Sequence, residues 1–225
     1  MSIDVINRDP VLLNKWLEIE KDSIQKYYGE HPDSLILQFE NELKELGFTV
    51  QFPKQAISFL PKYKKTILPL CCKYYCLARD QKKENEQNFF LGFFHFKGFE
   101  EIIPMLLEDF YSMTSSDLTR WCIADALLSI RSKQYIKEYL DIVSQPNFGS
   151  SRKMIILLLG KLRAEEAVPF LINLLEDEDV RLQAICALGN YKRNEFRPYF
   201  ERFQNDKHPG WRKYATNALK KLPLT

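Results

Sequence analysis

The sequence is poor in the residues and motifs on which enzyme chemistry usually depends. Only eight glycines and three histidines occur among its 225 residues. No glycine-rich phosphate loop and no GxSxG, HExxH or CxxC motif is present. His31, His95 and His208 lie far apart in the sequence, so their spacing is not that of a metal site. We therefore expect a non-enzymatic protein with no metal and no cofactor.

Membrane-spanning and disulfide signals are also missing. The longest apolar runs, such as Ile155–Leu159, are far too short to cross a bilayer. The N-terminal segment MSIDVINRDP is charged and lacks the apolar centre of a signal peptide. The five cysteines are an odd number and lie in apolar helical stretches, which is typical of small core residues in a reducing compartment. We expect a cytoplasmic protein without a membrane partner.

Charge is nearly balanced overall but unevenly spread. The net charge of +2 argues against a dedicated nucleic-acid surface. Residues 1–50 contain ten acids and five bases, whereas residues 191–225 contain three acids and nine bases. Solvated helix faces often produce such an imbalance. The alternative is a basic C-terminal end that contacts an acidic partner.

One helical pattern occurs four times in the second half of the chain. Each copy begins with an arginine, and the four arginines are separated by 32, 29 and 31 residues. Apolar or small residues follow at the third and seventh positions after each arginine, which is the spacing of one helix face. The four arginines are Arg120, Arg152, Arg181 and Arg212.

A shorter helical pattern precedes each of these copies. It begins with the pairs Ile103-Pro104, Val168-Pro169 and Arg197-Pro198, and proline is well tolerated in the first turn of a helix. The copy near Ile136 lacks the proline but keeps the apolar spacing. Two helices in a unit of about 30 residues indicate an all-α fold, an α-solenoid (superhelix) of stacked antiparallel helix pairs.

The segment AVPFLINLLEDEDVRLQAICALG, residues 167–189, resembles the HEAT-repeat family in its short bacterial form, also called PBS-lyase-type repeats. The resemblance extends over roughly residues 100–222. It implies a scaffold rather than an enzyme. It also implies that an aspartate and an arginine near the turn join adjacent repeats, with Asp117, Asp179 and Asp206 as the aspartates. We therefore interpret the repeated arginine as structural.

We expect one domain over residues 1–225. Residues 1–60 would form N-terminal capping helices, residues 61–97 a degenerate repeat, and residues 98–222 four repeats. Aromatic residues would fill the core of the degenerate repeat, at Phe89, Phe93 and Phe96. Gly189 is the expected stop of its helix, and residues 144–151 are the most flexible junction by composition.

We expect function to reside on the exposed face of the arginine-containing helices, which binds another protein. Four candidate binding residues directly follow the repeated arginines, and a basic, aromatic cluster near the C-terminus supplies three more. For Trp121 and Tyr214 the alternative is packing between repeats. The candidates are Trp121, Lys153, Leu182, Trp211, Arg212, Lys213 and Tyr214.

A nucleic-acid-binding protein is the alternative function. Trp121 and Asp125 are four residues apart on one predicted helix. Some HEAT-like DNA glycosylases use aromatic and acidic residues on a concave surface, and the basic C-terminal end offers a place for a nucleic acid to bind. The overall charge does not indicate the basic, aromatic-lined groove that such an enzyme requires.

Overall fold

The computed structural model describes residues 22, 26, 29–48, 56–112 and 114–223. All regular secondary structure in this part of the chain is helical, which confirms the all-α prediction. Contacts divide the chain into two compact units, Met1–Phe93 and Phe94–Thr225. Most of the expected capping helices in residues 1–60 lie outside the described residues, and the single domain over the whole chain stays a prediction.

The first unit contains α1 (Leu35–Glu45), α2 (Ala56–Asp80) and α3 (Glu84–Leu91). Helix α2 includes Pro61 and is kinked at Tyr63, which has the non-helical angles φ −117° and ψ 31°. The eight helices of the second unit form four pairs. They are α4 (Ile103–Tyr111) with α5 (Asp117–Ile130), α6 (Ile136–Ser144) with α7 (Arg152–Leu162), α8 (Val168–Asn173) with α9 (Arg181–Gly189), and α10 (Arg197–Glu201) with α11 (Pro209–Leu219).

The core of the first unit is aromatic, as expected, and it includes the predicted Phe93, whereas the predicted Phe89 and Phe96 are only half-buried. The ring of Phe39 lies 5.3 Å from the rings of both Phe90 and Phe93. Phe90 and Phe93 are fully buried, and so is Phe94, the first residue of the second unit. Helix α3 ends at Leu91 and a 3₁₀ turn follows. Because a 3₁₀ turn rotates each residue further than an α-helix does, the predicted spacing of Phe89, Phe93 and Phe96 is not kept.

The paired helices of the second unit confirm the predicted repeat. Helices α4, α8 and α10 each carry the predicted proline in the first turn. The apolar stripe of the arginine-containing helices is buried, with Ile123 and Leu127 of α5 and Ile155 and Leu159 of α7 fully inaccessible. We call α4, α6, α8 and α10 the first helices and α5, α7, α9 and α11 the second helices.

Successive second helices pack directly against one another, and glycine permits the closest approach. A Cβ at Gly160 of α7 would lie 2.6 Å from the Cβ of Ala187 in α9. A Cβ at Gly189 would lie 3.1 Å from the Cβ of Ala218 in α11. Helix α9 ends at Gly189, as expected, and the missing side chain of this residue also allows the close approach to Ala218.

The junction at residues 144–151 is held in place by a buried aromatic side chain. Its composition alone predicted a flexible segment. Residues Pro146–Ser151 form 3₁₀ turns, and Gly149 supplies the positive φ of 48° within them. Phe148 is buried, with its ring 5.1 Å from that of Phe110 and 5.9 Å from that of Tyr111. This segment therefore packs against α4 of the preceding repeat instead of forming a loose loop.

Basic residues with left-handed backbone end two of the second helices, and a third such residue lies shortly after the end of α9. Arg131, Arg163 and Lys192 follow α5, α7 and α9, with φ values of 61°, 50° and 56°. Left-handed backbone is unfavourable for residues that have a Cβ, by about 1–2 kcal/mol per residue. The side chains of these residues are exposed. Side-chain burial therefore does not compensate for the unfavourable backbone conformation.

Replacing Gly160 with alanine should destabilise the second unit. The added methyl group would overlap the backbone of Ala187, and α7 and α9 would have to move apart. We expect a loss of about 2–4 kcal/mol in the free energy of unfolding, measured by urea denaturation. Gly92→Ala is the control, because a Cβ there meets nothing within 4 Å. Equal effects of the two changes would contradict the close packing.

Replacing Arg163 with glycine should stabilise the protein. Glycine adopts the left-handed conformation at the end of α7 without the steric penalty, so we expect a gain of about 1 kcal/mol. Thermal unfolding would measure it. Lys161→Gly is the matched change inside the same helix, and it should destabilise by about 1 kcal/mol. A loss of stability at Arg163→Gly would show that this side chain contributes contacts that outweigh its strained backbone.

Candidate functional site

The exposed side of the second helices carries most of the predicted binding residues. Trp121 of α5 is 39% exposed. Lys153 of α7 and Leu182 of α9 are half-buried, and Lys213 of α11 is exposed. Each directly follows its repeat's arginine, so the four side chains occupy equivalent positions on stacked helices. We call the solvent-accessible side of α5, α7, α9 and α11 the second-helix face.

The repeated arginines lie at one edge of this face and hold each helix pair together. Every guanidinium donates to the backbone in its own repeat. The acceptor carbonyl oxygens belong either to the last turn of the first helix or to residues that follow that helix. These oxygens lack helical partners, so the contacts satisfy groups that would otherwise need water. The acceptors are Phe110 and Ser112 for Arg120, Val143 and Gly149 for Arg152, Leu175 and Glu176 for Arg181, and Asp206 for Arg212.

Two of the arginines also reach the following repeat. Arg152 is 2% exposed, and its Nη2 donates to Oδ2 of Asp177 over 2.7 Å. The guanidinium of Arg181 lies over the Trp211 ring, 4.3 Å from its centroid. The partner of Arg152 is Asp177 and not the expected Asp179, because Asp177 accepts the backbone N–H groups that begin the turn before α9. The repeated arginine therefore has a structural role within and between repeats.

Trp211 belongs to this structural network as much as to the surface. Its ring stacks on His208 at 4.5 Å between centroids and meets Phe203 edge-on at 6.5 Å. Leu182 also contacts the start of α11, where a Cβ added at Gly210 would lie 3.0 Å from its Cδ1. These two predicted binding residues thus pack between the third and fourth repeats, whereas Trp121 makes no ring contact with any described residue.

The remaining candidates lie on α11 beside a groove. Arg212, Lys213 and Tyr214 are exposed, the last by 39%. Tyr214 lines a groove of about 430 Å³ between α9 and α11. Sequence reasoning missed the groove's two amide side chains, Asn190 and Asn217. Their separation of 27 residues differs from the repeat period, so the repeat pattern alone does not group them.

Cys186 lies in the same groove but is not suited to act as a nucleophile. Its side chain is half-buried, and this burial raises the pKa of the thiol to about 11, against a smaller lowering by Lys221. The thiol is therefore protonated near neutral pH. Only Cys71 of the five cysteines is fully buried, and its pKa is raised by the same cause. The expectation that all five are core residues holds for Cys71 alone.

The Trp121–Asp125 pair has an additional neighbour. His95 Nδ1 lies 3.7 Å from Oδ2 of Asp125, and the two side chains are 35% and 32% exposed. An ion pair in this setting contributes little to stability. The groove beside Tyr214 is lined by neither Trp121 nor Asp125.

The first unit contains a separate groove of about 510 Å³, near His31 and Asp33. Its most buried acid is Glu86, which is 6% exposed. Oε1 of Glu86 accepts hydrogen bonds from the Ser34 hydroxyl over 2.6 Å and from the Leu35 N–H over 3.1 Å. The Leu35 N–H lies in the first turn of α1, where no helical carbonyl oxygen is available to accept it. The Glu86 carboxylate of α3 therefore caps α1.

Within the described residues, no group of three or more His, Cys, Asp and Glu side chains is arranged to hold a metal ion. None of the helices in these residues is long and apolar enough to span a membrane.

Comparison with protein families gives a match to one family model over part of the chain. Residues 136–220 match the model of HEAT repeats. This range begins at α6 and runs through α11, so it covers the second, third and fourth helix pairs. No curated protein and no solved structure gives a significant match to the chain.

Replacing Arg152 with methionine should destabilise the protein strongly. The change leaves two carbonyl oxygens and the Asp177 carboxylate without their donor, and breaking such a buried pair costs about 3–5 kcal/mol. Arg212→Met is the control from the same repeat position, because Arg212 is exposed and makes one bond, to the Asp206 carbonyl. Urea denaturation of both variants measures the difference. Similar losses would mean that burial does not distinguish the two arginines.

Proposed function

We propose that this chain, whose residues 136–220 match the model of HEAT repeats, is a non-enzymatic scaffold or adaptor that binds another protein through the second-helix face. Members of the family generally act as protein-interaction scaffolds. The proposal places the protein in the cytoplasm, where its free cysteines would stay reduced.

The observation that carries the proposal is the position of the exposed large apolar side chains. Six such residues occur in the described part of the chain, and three of them are on second helices: Leu118, Trp121 and Tyr214. Aromatic side chains that are exposed in the free protein are frequent anchors of protein interfaces. Neither Trp121 nor Tyr214 stacks on another described ring, so both are available to a partner.

Basic side chains on the same face support this proposal. Lys153 and Lys213 form no ion pair with any described residue. By contrast, Arg193 pairs with Glu165, and Arg202 pairs with Glu176 at 2.7 Å. Both of these arginines lie outside the second helices. Part of the basic charge in residues 191–225 is therefore neutralised within the chain. The unpaired Lys213, next to the exposed Tyr214, suits a protein partner with acidic groups.

Trp121→Ala and Lys213→Glu should leave the fold intact but weaken capture of the partner. The first removes an exposed anchor and the second reverses an exposed charge, so each should reduce recovery by about tenfold. A tagged protein would capture partners from native host lysate, with and without nuclease, and quantitative mass spectrometry would compare the variants. Circular dichroism would verify folding.

Matched controls come from the first helices. Phe170→Ala removes an aromatic side chain of similar exposure, 37%, from α8, and Lys137→Glu reverses an exposed charge on α6. Both controls should retain the partner. Wild-type recovery by the two second-helix variants would reject this face. Captured material that disappears with nuclease would favour the nucleic-acid alternative.

A further inference from the structure

The groove between α9 and α11 has a floor made of small and apolar residues. Gly189 and Ala218 bring the two helices together, and Ile185 and Ala218 are buried beneath the surface. Gly189 has no side chain and Ala218 has only a methyl group, so neither fills the space between the two helices. The groove therefore exists because of the same close packing that stacks the second helices.

The rim of the groove is polar and carries positive charge. None of the described residues that line it is acidic, and the lining set is Ile185, Cys186, Gly189, Asn190, Tyr214, Asn217, Ala218, Lys220 and Lys221. Lys221 lies near enough to Cys186 to affect the thiol's ionisation. The groove thus offers two ammonium groups with no carboxylate among the lining residues to neutralise them.

The hydrogen-bonding groups of the rim are unused within the described chain. The side chains of Asn190, Asn217, Tyr214, Lys220 and Lys221 make no hydrogen bond or ion pair with another described residue. A carboxamide both donates and accepts, as a peptide backbone does, whereas an ammonium group only donates. The set therefore fits a ligand that has peptide groups and carboxylates.

We propose that this groove binds an extended acidic segment of the partner protein, with its carboxylates at Lys220 and Lys221 and its backbone at Asn190 and Asn217. An apolar side chain of the segment lies over the floor beside Tyr214. The proposal rests on the proposed function and specifies which part of the second-helix face recognises which chemistry.

A peptide suits this groove better than a nucleic acid does. Proteins that bind a nucleic-acid backbone tightly neutralise about 6–10 phosphates, whereas this groove contains two lysines. Its apolar floor would contribute nothing to a phosphate chain but would bury an aliphatic side chain of a peptide. The volume of about 430 Å³ lies within the ordinary range of binding pockets.

The test begins with a phage library of short random peptides selected on the full-length protein. Enriched peptides should combine Asp or Glu with at least one apolar residue. A fluorescent copy of an enriched peptide and a copy with Gln for Glu and Asn for Asp would then be titrated by fluorescence anisotropy. The neutral copy should bind about tenfold more weakly. Failure to enrich peptides, or enrichment of peptides without acids, would overturn the proposal.

The variant K220E/K221E tests whether the acidic peptide binds in this groove. It should lower the affinity for the acidic peptide by at least about tenfold, because two attractive contacts become repulsive. K133E/K137E has the same change in net charge, and it alters exposed lysines that do not line the groove. That control should bind as the wild type does. Equal binding by both variants, or displacement of the peptide by a single-stranded DNA oligonucleotide at lower concentration than by unlabelled peptide, would overturn the assignment.

The native partner distinguishes the two proposals. Loss of the partner in Trp121→Ala and Lys213→Glu, with normal capture by K220E/K221E, would reject the groove and retain the second-helix face. Normal capture by all of these variants would reject the face itself. Thermal unfolding of K220E/K221E should match that of K133E/K137E, since all four lysines are exposed.

Discussion

The second unit depends on the close contact between successive second helices. At Gly160 and Ala187, and again at Gly189 and Ala218, the backbones approach to a distance that larger side chains would prevent. This approach turns the apolar stripe of each helix toward its neighbours and leaves the opposite side in water. The second-helix face and the groove between α9 and α11 are therefore both consequences of backbone packing.

The arginine contacts add a second constraint, on the position of each first helix. A guanidinium that donates to carbonyl oxygens at the end of the first helix fixes where that helix meets its partner. Burial differs along the series, from the inaccessible Arg152 to the exposed Arg212. We therefore expect the same residue type at one repeat position to contribute different amounts of stability, according to how far it is buried.

Periodicity made the helix pairs predictable, since apolar spacing and an early proline are local signals. Contacts that depend on fine geometry were not predictable in the same way. The spacing that suggested Phe89 and Phe96 assumed a continuous α-helix, and the 3₁₀ turn after α3 moved burial to Phe90 and Phe94. The helix end at Gly189 was predictable, whereas the contact of Gly189 with Ala218 was not, because Ala218 belongs to the next repeat. The groove amides Asn190 and Asn217 come from different repeats, so no local pattern joins them.

The two sides of the repeat array differ in how they can deform. Neighbouring second helices meet through packed backbone, whereas several links between the first helices and their turns are exposed polar contacts, such as Tyr111 to Asp141 and Arg202 to Glu176. Exposed contacts of this kind exchange readily with water. Elastic bending of this unit should therefore open and close its first-helix side, while distances along the second helices change little. A partner on the second-helix face would meet a row of side chains whose spacing persists as the array flexes.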